Sequence, residues 1–433
     1  MSILFEDIAA LTPYGIKEHL FVSVDGARIA YVGGSRPQGS FARVFDGRER
    51  LLMPGFYNAH AHSPMSLMRG YGENMTLSDW LTKRIFPFEE ALTGEDVYWA
   101  TMLSMAESFR YGVVSSTDMY FFCEDMIRAV VESGAKANVG RGIASDPGEE
   151  DITTLESFKE AVRLYENHHG AAEGRVRVDM ALHAEYTSSP AVARGLAEYA
   201  GKTGAHTHVH VSETRAEHEA CKARRGGLTP VAYFDDLGLF ATRATAAHCV
   251  WAEESDMDIL AARNATVASC PVSNLKLAGG VCNVPALLQK GVNVAIGTDS
   301  VASNNNLNMV EEMKFFALLN KERRGDPTCV TPLETLRAAT VAGAESQGRE
   351  DCGRIEGGMK ADLIMLDVSA PHMHPVHDMC GNLVYSASGG EVTLTVADGR
   401  IVYETGCWPT IDVERAKIES ERAVGRILGA LHG

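Results

Sequence analysis

The chain has 433 residues, 45% of them hydrophobic and 22% charged, with a formal net charge of −17 at pH 7. These values describe a folded protein with a substantial core and exclude a disordered one. The acidic balance argues against a nucleic-acid backbone or an anionic membrane as partner, and leaves a small molecule in a local pocket open. Nine Cys residues form no C-x-x-C pair, which reads as reduced thiols in a cytosol. Residues 1–7 lack the basic and apolar regions of a secretory signal. No apolar run reaches the ~18 residues of a membrane span, so a soluble cytoplasmic protein is expected.

In chain order, residues 20–32 read as a hairpin turning at Asp25-Gly26, because Asp-Gly between alternating apolar runs is a strong turn signal. Strand-like runs then recur at 56–62, 113–120, 137–145, 176–186, 205–212, 244–250, 266–272 and 293–300, with helical patterns between them. In the helix predicted over 93–111, Thr93-x-x-Asp96 forms a capping box. Trp99, Leu103, Ala106 and Phe109 make its apolar stripe, and Gly112 ends it. The stretch 63–92 is long for a connection and carries Met65, Met68, Trp80, Phe86 and Phe88, as binding loops on rigid barrels do. Near the C-terminus, residues 394–403 repeat the hairpin pattern at Asp398-Gly399, and 413–431 are helix-like.

Eight strand–helix alternations predict an α/β fold, a (β/α)8 TIM-type barrel over 54–354. A lone hairpin is marginally stable, so the two ends are expected to join in one small β-sandwich domain, residues 1–53 plus 355–433.

Chemistry enters at His60-Ala61-His62. Residues two apart on a strand share a face, so both imidazoles project together. His210, Glu213, His248 and Asp299 fall at or just beyond later strand ends, which converge on one face of a closed barrel. Three imidazoles and a carboxylate suit zinc, with ferrous iron the alternative. Asp299 as a fourth ligand implies a loosely held carboxylate that can also accept a proton. His206 and His208 read as core residues, and His372-Met373-His374 as a structural loop.

The segments 53–62, 67–70, 208–214, 247–249, 270–274 and 297–300, with the closing run 357–364, resemble the deaminase and chlorohydrolase branch of the amidohydrolase superfamily. Within it, Ala302–Asn306 followed by Met309–Met313 is most similar to deaminases of 5-methylthioadenosine and S-adenosylhomocysteine. The resemblance implies His60, His62, His210 and Asp299 as ligands of one zinc ion per chain. It also implies Asp299 as proton acceptor, His248 as the group orienting the nucleophilic water, and Glu213 as general acid/base. His183 and Glu89 become substrate contacts, Glu89 toward ribose hydroxyls. Arg141 becomes a fork for an amino-acid carboxylate, and Trp80 and Ser303 further contacts. The fourth strand carries no Lys, which supports a single metal.

The function so implied is hydrolytic deamination of an adenosine derivative, in a homo-oligomer. The alternatives are deamination of a pterin, guanine-type purine or pyrimidine, hydrolysis of an s-triazine, and a non-catalytic metal-binding scaffold.

Overall fold

The computed structural model describes residues 2–432. Among them, eight strands alternate with helices: Phe56–Ala61, Val113–Tyr120, Lys136–Arg141, Val176–Leu182, Thr207–Val211, Ala244–His248, Thr266–Ser269 and Asn293–Ile296. Each pairs in parallel with the next in chain order. Every residue of Val113–Tyr120 is buried, as expected of strands covered on one side by helices and on the other by the barrel core. The helix Gly94–Arg110 begins with the expected reciprocal cap: Asp96 N–H donates to Thr93 Oγ1 at 3.3 Å, and Thr93 N–H to Asp96 Oδ2 at 2.8 Å.

The ring closes between its first and eighth strands through few contacts. Asp299 N–H donates to the His60 carbonyl at 2.9 Å. Asn58 extends the seam, its Oδ1 accepting from Thr298 N–H at 3.0 Å and its Nδ2 donating to Thr298 Oγ1 at 2.7 Å. Gly297 is required here because a Cβ would lie 2.9 Å from His60 Cβ. The seam therefore couples barrel closure directly to two of the candidate site residues.

Both chain ends contribute to one mixed sheet of eight strands. Its long first strand, Ser2–Thr12, is shared: Ile3–Glu6 pair with Arg43–Asp46, and Ala9 and Ala10 with Leu51 and Leu52. Ile3, Phe5, Val22 and Ile29 from the N-terminal end share one core with Leu363, Met365, Leu394 and Val396 from the C-terminal end. The two hairpins turn where expected, with Asp25 paired to Arg28 and Ala397 to Arg400. Their tips meet. A Cβ on Gly399, already at φ +71°, would overlap the Gly26 carbonyl.

The sheet is tied to the barrel floor by Lys136, buried on the third barrel strand and paired with Asp362 and, at 2.8 Å, with Asp398. The last helix, Val413–His432, lies along Gly94–Arg110, where Arg426 pairs with Asp96. Among the described residues, no helix is long and apolar enough to cross a membrane.

Candidate active site

The C-terminal ends of the barrel strands carry the candidate residues, and several are held there by unusual backbone. Ser212, His248 and Asp299 all have positive φ (51°, 73° and 58°). Such conformations cost non-glycine residues on the order of 1–3 kcal/mol each, and they persist only where the surroundings enforce them. Their effect is to bend the chain as it leaves the fifth, sixth and eighth strands, turning side chains inward over the barrel mouth.

Four donor atoms converge. His62 Nε2 lies 3.3 Å from Asp299 Oδ1 and 3.3 Å from His210 Nε2, and His60 Nε2 lies 3.5 Å from Asp299 Oδ1. The far side of each ring is engaged. His62 Nδ1 donates to the Met119 carbonyl at 2.6 Å, and His210 Nδ1 to the His183 carbonyl at 2.7 Å. His60 Nδ1 shares a hydrogen bond with His208 Nε2 at 2.9 Å. The two carbonyl bonds place the proton on Nδ1 and leave a bare Nε2 lone pair on His62 and His210, the arrangement of metal-binding histidines.

Lone pairs facing one another at 3.3 Å repel unless a cation lies among them, and His60 Nε2 is fully buried with no hydrogen-bond partner. Burial lowers the pKa of His60 to about 3 and that of His210 well below its usual value, so both rings are neutral and able to ligate at pH 7. Asp299 presents Oδ1 to this cluster, while its Oδ2 accepts from Ser273 Oγ at 2.5 Å and Ser303 Oγ at 3.0 Å. The donor set fits a divalent metal ion.

Above the cluster opens a cavity with about 910 Å³ of empty space, open solvent at its mouth included. Glu213, His248, Glu89, His183 and Trp80 line it together with His62, His210 and Asp299. His248 Nε2 is 3.9 Å from Glu213 Oε2. Asn274 Nδ2 donates to His248 Nδ1 at 3.0 Å, so the ring carries its proton on Nε2 and offers a donor, not a lone pair, to the cavity. Burial, with the charge of Asp299 adding to it, pushes the Glu213 carboxyl up to about 8. Burial likewise raises Glu89 to about 7 and lowers His183 to about 4. The stretch 63–92 forms one wall as expected, through Met65, Trp80, Leu81, Ile85 and Phe86.

Two expected contacts are elsewhere. Arg141 does end the third strand, but its Nε donates to Glu160 Oε2 at 2.7 Å and its guanidinium lies over the Phe121 ring. A carboxylate on the neighbouring helix, Glu156–His168, holds it away from the cavity. Ser303 is fully buried beneath the site and braces Asp299, because the turn after the eighth strand folds back under that carboxylate. His372, read as part of a structural loop, pairs with Glu391 at 2.7 Å, remote from the cavity.

The amidohydrolase family profile matches residues 51–402. The chain belongs to the amidohydrolase family. A 5-methylthioadenosine/S-adenosylhomocysteine deaminase of Caldanaerobacter subterraneus is 39% identical over 99% of both chains. A 5′-deoxyadenosine deaminase of Methanosarcina mazei is 38% identical, over 96% of this chain and 95% of the relative. The crystal structure of a zinc-bound adenosine deaminase from Xanthomonas campestris superposes with a TM-score of 0.93 at 32% identity, covering 99% of this chain and 98% of the other.

Around this amidohydrolase site stand residues that the sequence reading passed over. His208, read as core, shares a hydrogen bond with His60. Ser273 and Asn274 brace Asp299 and His248, and their presence in the run 270–274 was a usable signal. Glu217 accepts from the N–H groups of Ser212 at 3.0 Å and Glu213 at 2.7 Å. It thereby fixes the strained turn that presents Glu213, and the spacing Thr214-x-x-Glu217 marks it as a capping box.

Proposed function

We propose that this amidohydrolase deaminates an adenosine derivative with a neutral or modified 5′ position to the inosine counterpart, releasing ammonia, with one zinc ion per chain held by His60, His62, His210 and Asp299. The observation that carries the reading is Glu213: a buried carboxyl held protonated near neutral pH, 3.9 Å from a histidine that donates from Nε2, directly over the imidazole–carboxylate cluster. The names of the full-length relatives support the adenosine class.

When bound, the ion supplies Lewis acidity that makes water a nucleophile near neutral pH. Glu213 donates its proton to the ring nitrogen beside the amino-bearing carbon, which makes that carbon electrophilic. His248 Nε2–H holds the oxygen of the attacking water in line. Asp299, kept anionic by the surrounding rings and two serine hydroxyls, accepts one proton of that water and passes it to the departing amine, and the proton of the new hydroxyl returns to Glu213 as the carbonyl forms. Glu89 accepts from ribose hydroxyls, and His183, its ring fixed by Thr187 Oγ1 at 2.8 Å, closes the side of the nucleoside.

The test is incubation of metal-loaded protein with 5-methylthioadenosine, following the ultraviolet shift on loss of the amine and stoichiometric ammonia. No change with any adenosine derivative removes this reading. Metal analysis of the same preparation separates enzyme from scaffold: one equivalent of zinc is expected, and iron in its place corrects the ion alone.

A further inference from the structure

Resting on the proposed chemistry, we propose that Glu312 is a positioning residue, a single carboxyl that locks together the two turns aiming His248 and Asp299. It lies in the first turn of the helix Met309–Arg324, fully buried, and does not line the cavity. Each of its oxygens accepts from a different turn. Oε2 accepts from Val272 N–H at 3.2 Å, and Oε1 from Asn304 Nδ2 at 2.5 Å.

Beyond each bond lies the site. Val272 is in the first turn of the short helix Pro271–Lys276, after the seventh strand, and the next two residues reach the chemistry. Ser273 Oγ donates to Asp299 Oδ2 at 2.5 Å, and Asn274 Nδ2 to His248 Nδ1 at 3.0 Å. Asn304 lies in the turn after the eighth strand, where its Nδ2 also donates to the Thr298 carbonyl at 2.7 Å. One residue before it, Ser303 Oγ reaches Asp299 Oδ2 at 3.0 Å. Removing the carboxyl frees both turns at once, and with them the tautomer of His248 and the serine bonds of Asp299.

The helix itself gives no reason for this group. A first-turn acid favours the helix dipole, but the partly exposed Glu311 already fills that place. Neither bond of Glu312 goes to its own helix. A buried carboxyl costs stability unless its bonds are needed. Val272 and Asn304 need one acceptor group that spans both, and the two oxygens of a carboxyl can each accept whether or not it carries a proton. An apolar side chain there strands both donors.

The test compares Glu312→Leu, which offers no acceptor, with Glu312→Gln, which keeps the reach and one acceptor. Metal-loaded protein is assayed with 5-methylthioadenosine at pH 7, with circular dichroism to confirm folding and nitrogen NMR of histidine-labelled protein. In Glu312→Leu, kcat should fall about 10- to 100-fold with KM within about twofold. Its His248 signal, identified by its absence in His248→Gln, should show Nδ1 gaining proton character. Glu312→Gln should recover kcat to within about fivefold of the parent, with the parent's His248 signal. Asn304→Ala cuts only the eighth-strand arm and should lower kcat about tenfold at unchanged KM; it carries the test if Glu312→Leu does not fold.

A folded Glu312→Leu within about threefold of the parent in kcat overturns the proposal. So does a slow one whose His248 signal has not moved, a Glu312→Gln as slow as Glu312→Leu, or an Asn304→Ala as fast as the parent. A parent inactive on every adenosine derivative removes the proposed function instead, and the His248 signals of the two Glu312 variants still decide the role of this carboxyl.

Discussion

Glu213→Gln isolates the proton on which the proposed chemistry depends. A carboxyl titrating at about 8 is about 90% protonated at pH 7, whereas one at its ordinary 4.5 would be about 0.3% protonated. Burial therefore raises the concentration of the acid form roughly 300-fold at neutral pH, without any change in where the side chain sits. The amide has nearly the same shape and can still donate a hydrogen bond, but it cannot deliver a proton. Loss of a positioned general acid costs on the order of 10²–10⁴ in rate, and kcat should fall within that range while KM moves little.

The pH profile carries the sign. Because the protonated form is the active one and its pKa is raised, kcat/KM of the parent enzyme should decline as pH rises through about 8. That alkaline limb should vanish in Glu213→Gln. Rates are read by ammonia release from pH 6 to 10, with circular dichroism confirming the fold. A variant within tenfold of the parent, or one keeping the same alkaline limb, refutes the assignment of Glu213 as the acid.

Further outcomes follow from other contacts. Glu89→Ala should lower kcat/KM for nucleosides about 100-fold through lost hydrogen bonds to ribose, and should leave any activity on free bases nearly unchanged; equal losses on both would refute a ribose contact. Asn274→Ala frees His248 to exchange tautomers, so kcat should drop about 10- to 100-fold, and nitrogen NMR should show the His248 Nδ1 gaining proton character.

Lys136→Met strands Asp362 and Asp398 at the barrel floor. A loss of about 3–5 kcal/mol in urea unfolding is expected, and a loss under 1 kcal/mol would show that the pair is not what ties the sheet to the barrel.

Glu312, buried and accepting from Asn304 Nδ2 at 2.5 Å, is pushed up to about 8 by burial. Its folded pKa exceeds the unfolded value of 4.5, so the folded state retains a proton that the unfolded state has released, and stability falls as pH rises from 4.5 to 8. Glu312→Gln should match the parent at pH 5 and exceed it by on the order of 3 kcal/mol at pH 9, measured by denaturant unfolding at each pH.

Much of this protein is legible along the chain because its signals are short-range. A strand alternates its faces every two residues, so His60-Ala61-His62 declares two convergent imidazoles before any fold is known. Asp25-Gly26 and Asp398-Gly399 declare their turns through local backbone preference, and eight strand–helix alternations declare the barrel. Once the barrel is granted, the site at its C-terminal strand ends follows, and His210, Glu213, His248 and Asp299 fall into place.

Tertiary structure alone decided which way the long or buried polar side chains turned. Arg141 stands where a substrate carboxylate would need it, yet Glu160, 19 residues on, takes its guanidinium. Ser303 sits close in sequence to Asp299 and yet lies beneath it. The tautomers of His60 and His248 depend on His208 and Asn274, 148 and 26 residues away. A local pattern specifies backbone period and face; the partner of a flexible ionic side chain is chosen by whichever opposite charge or lone pair the assembled fold brings within 3 Å.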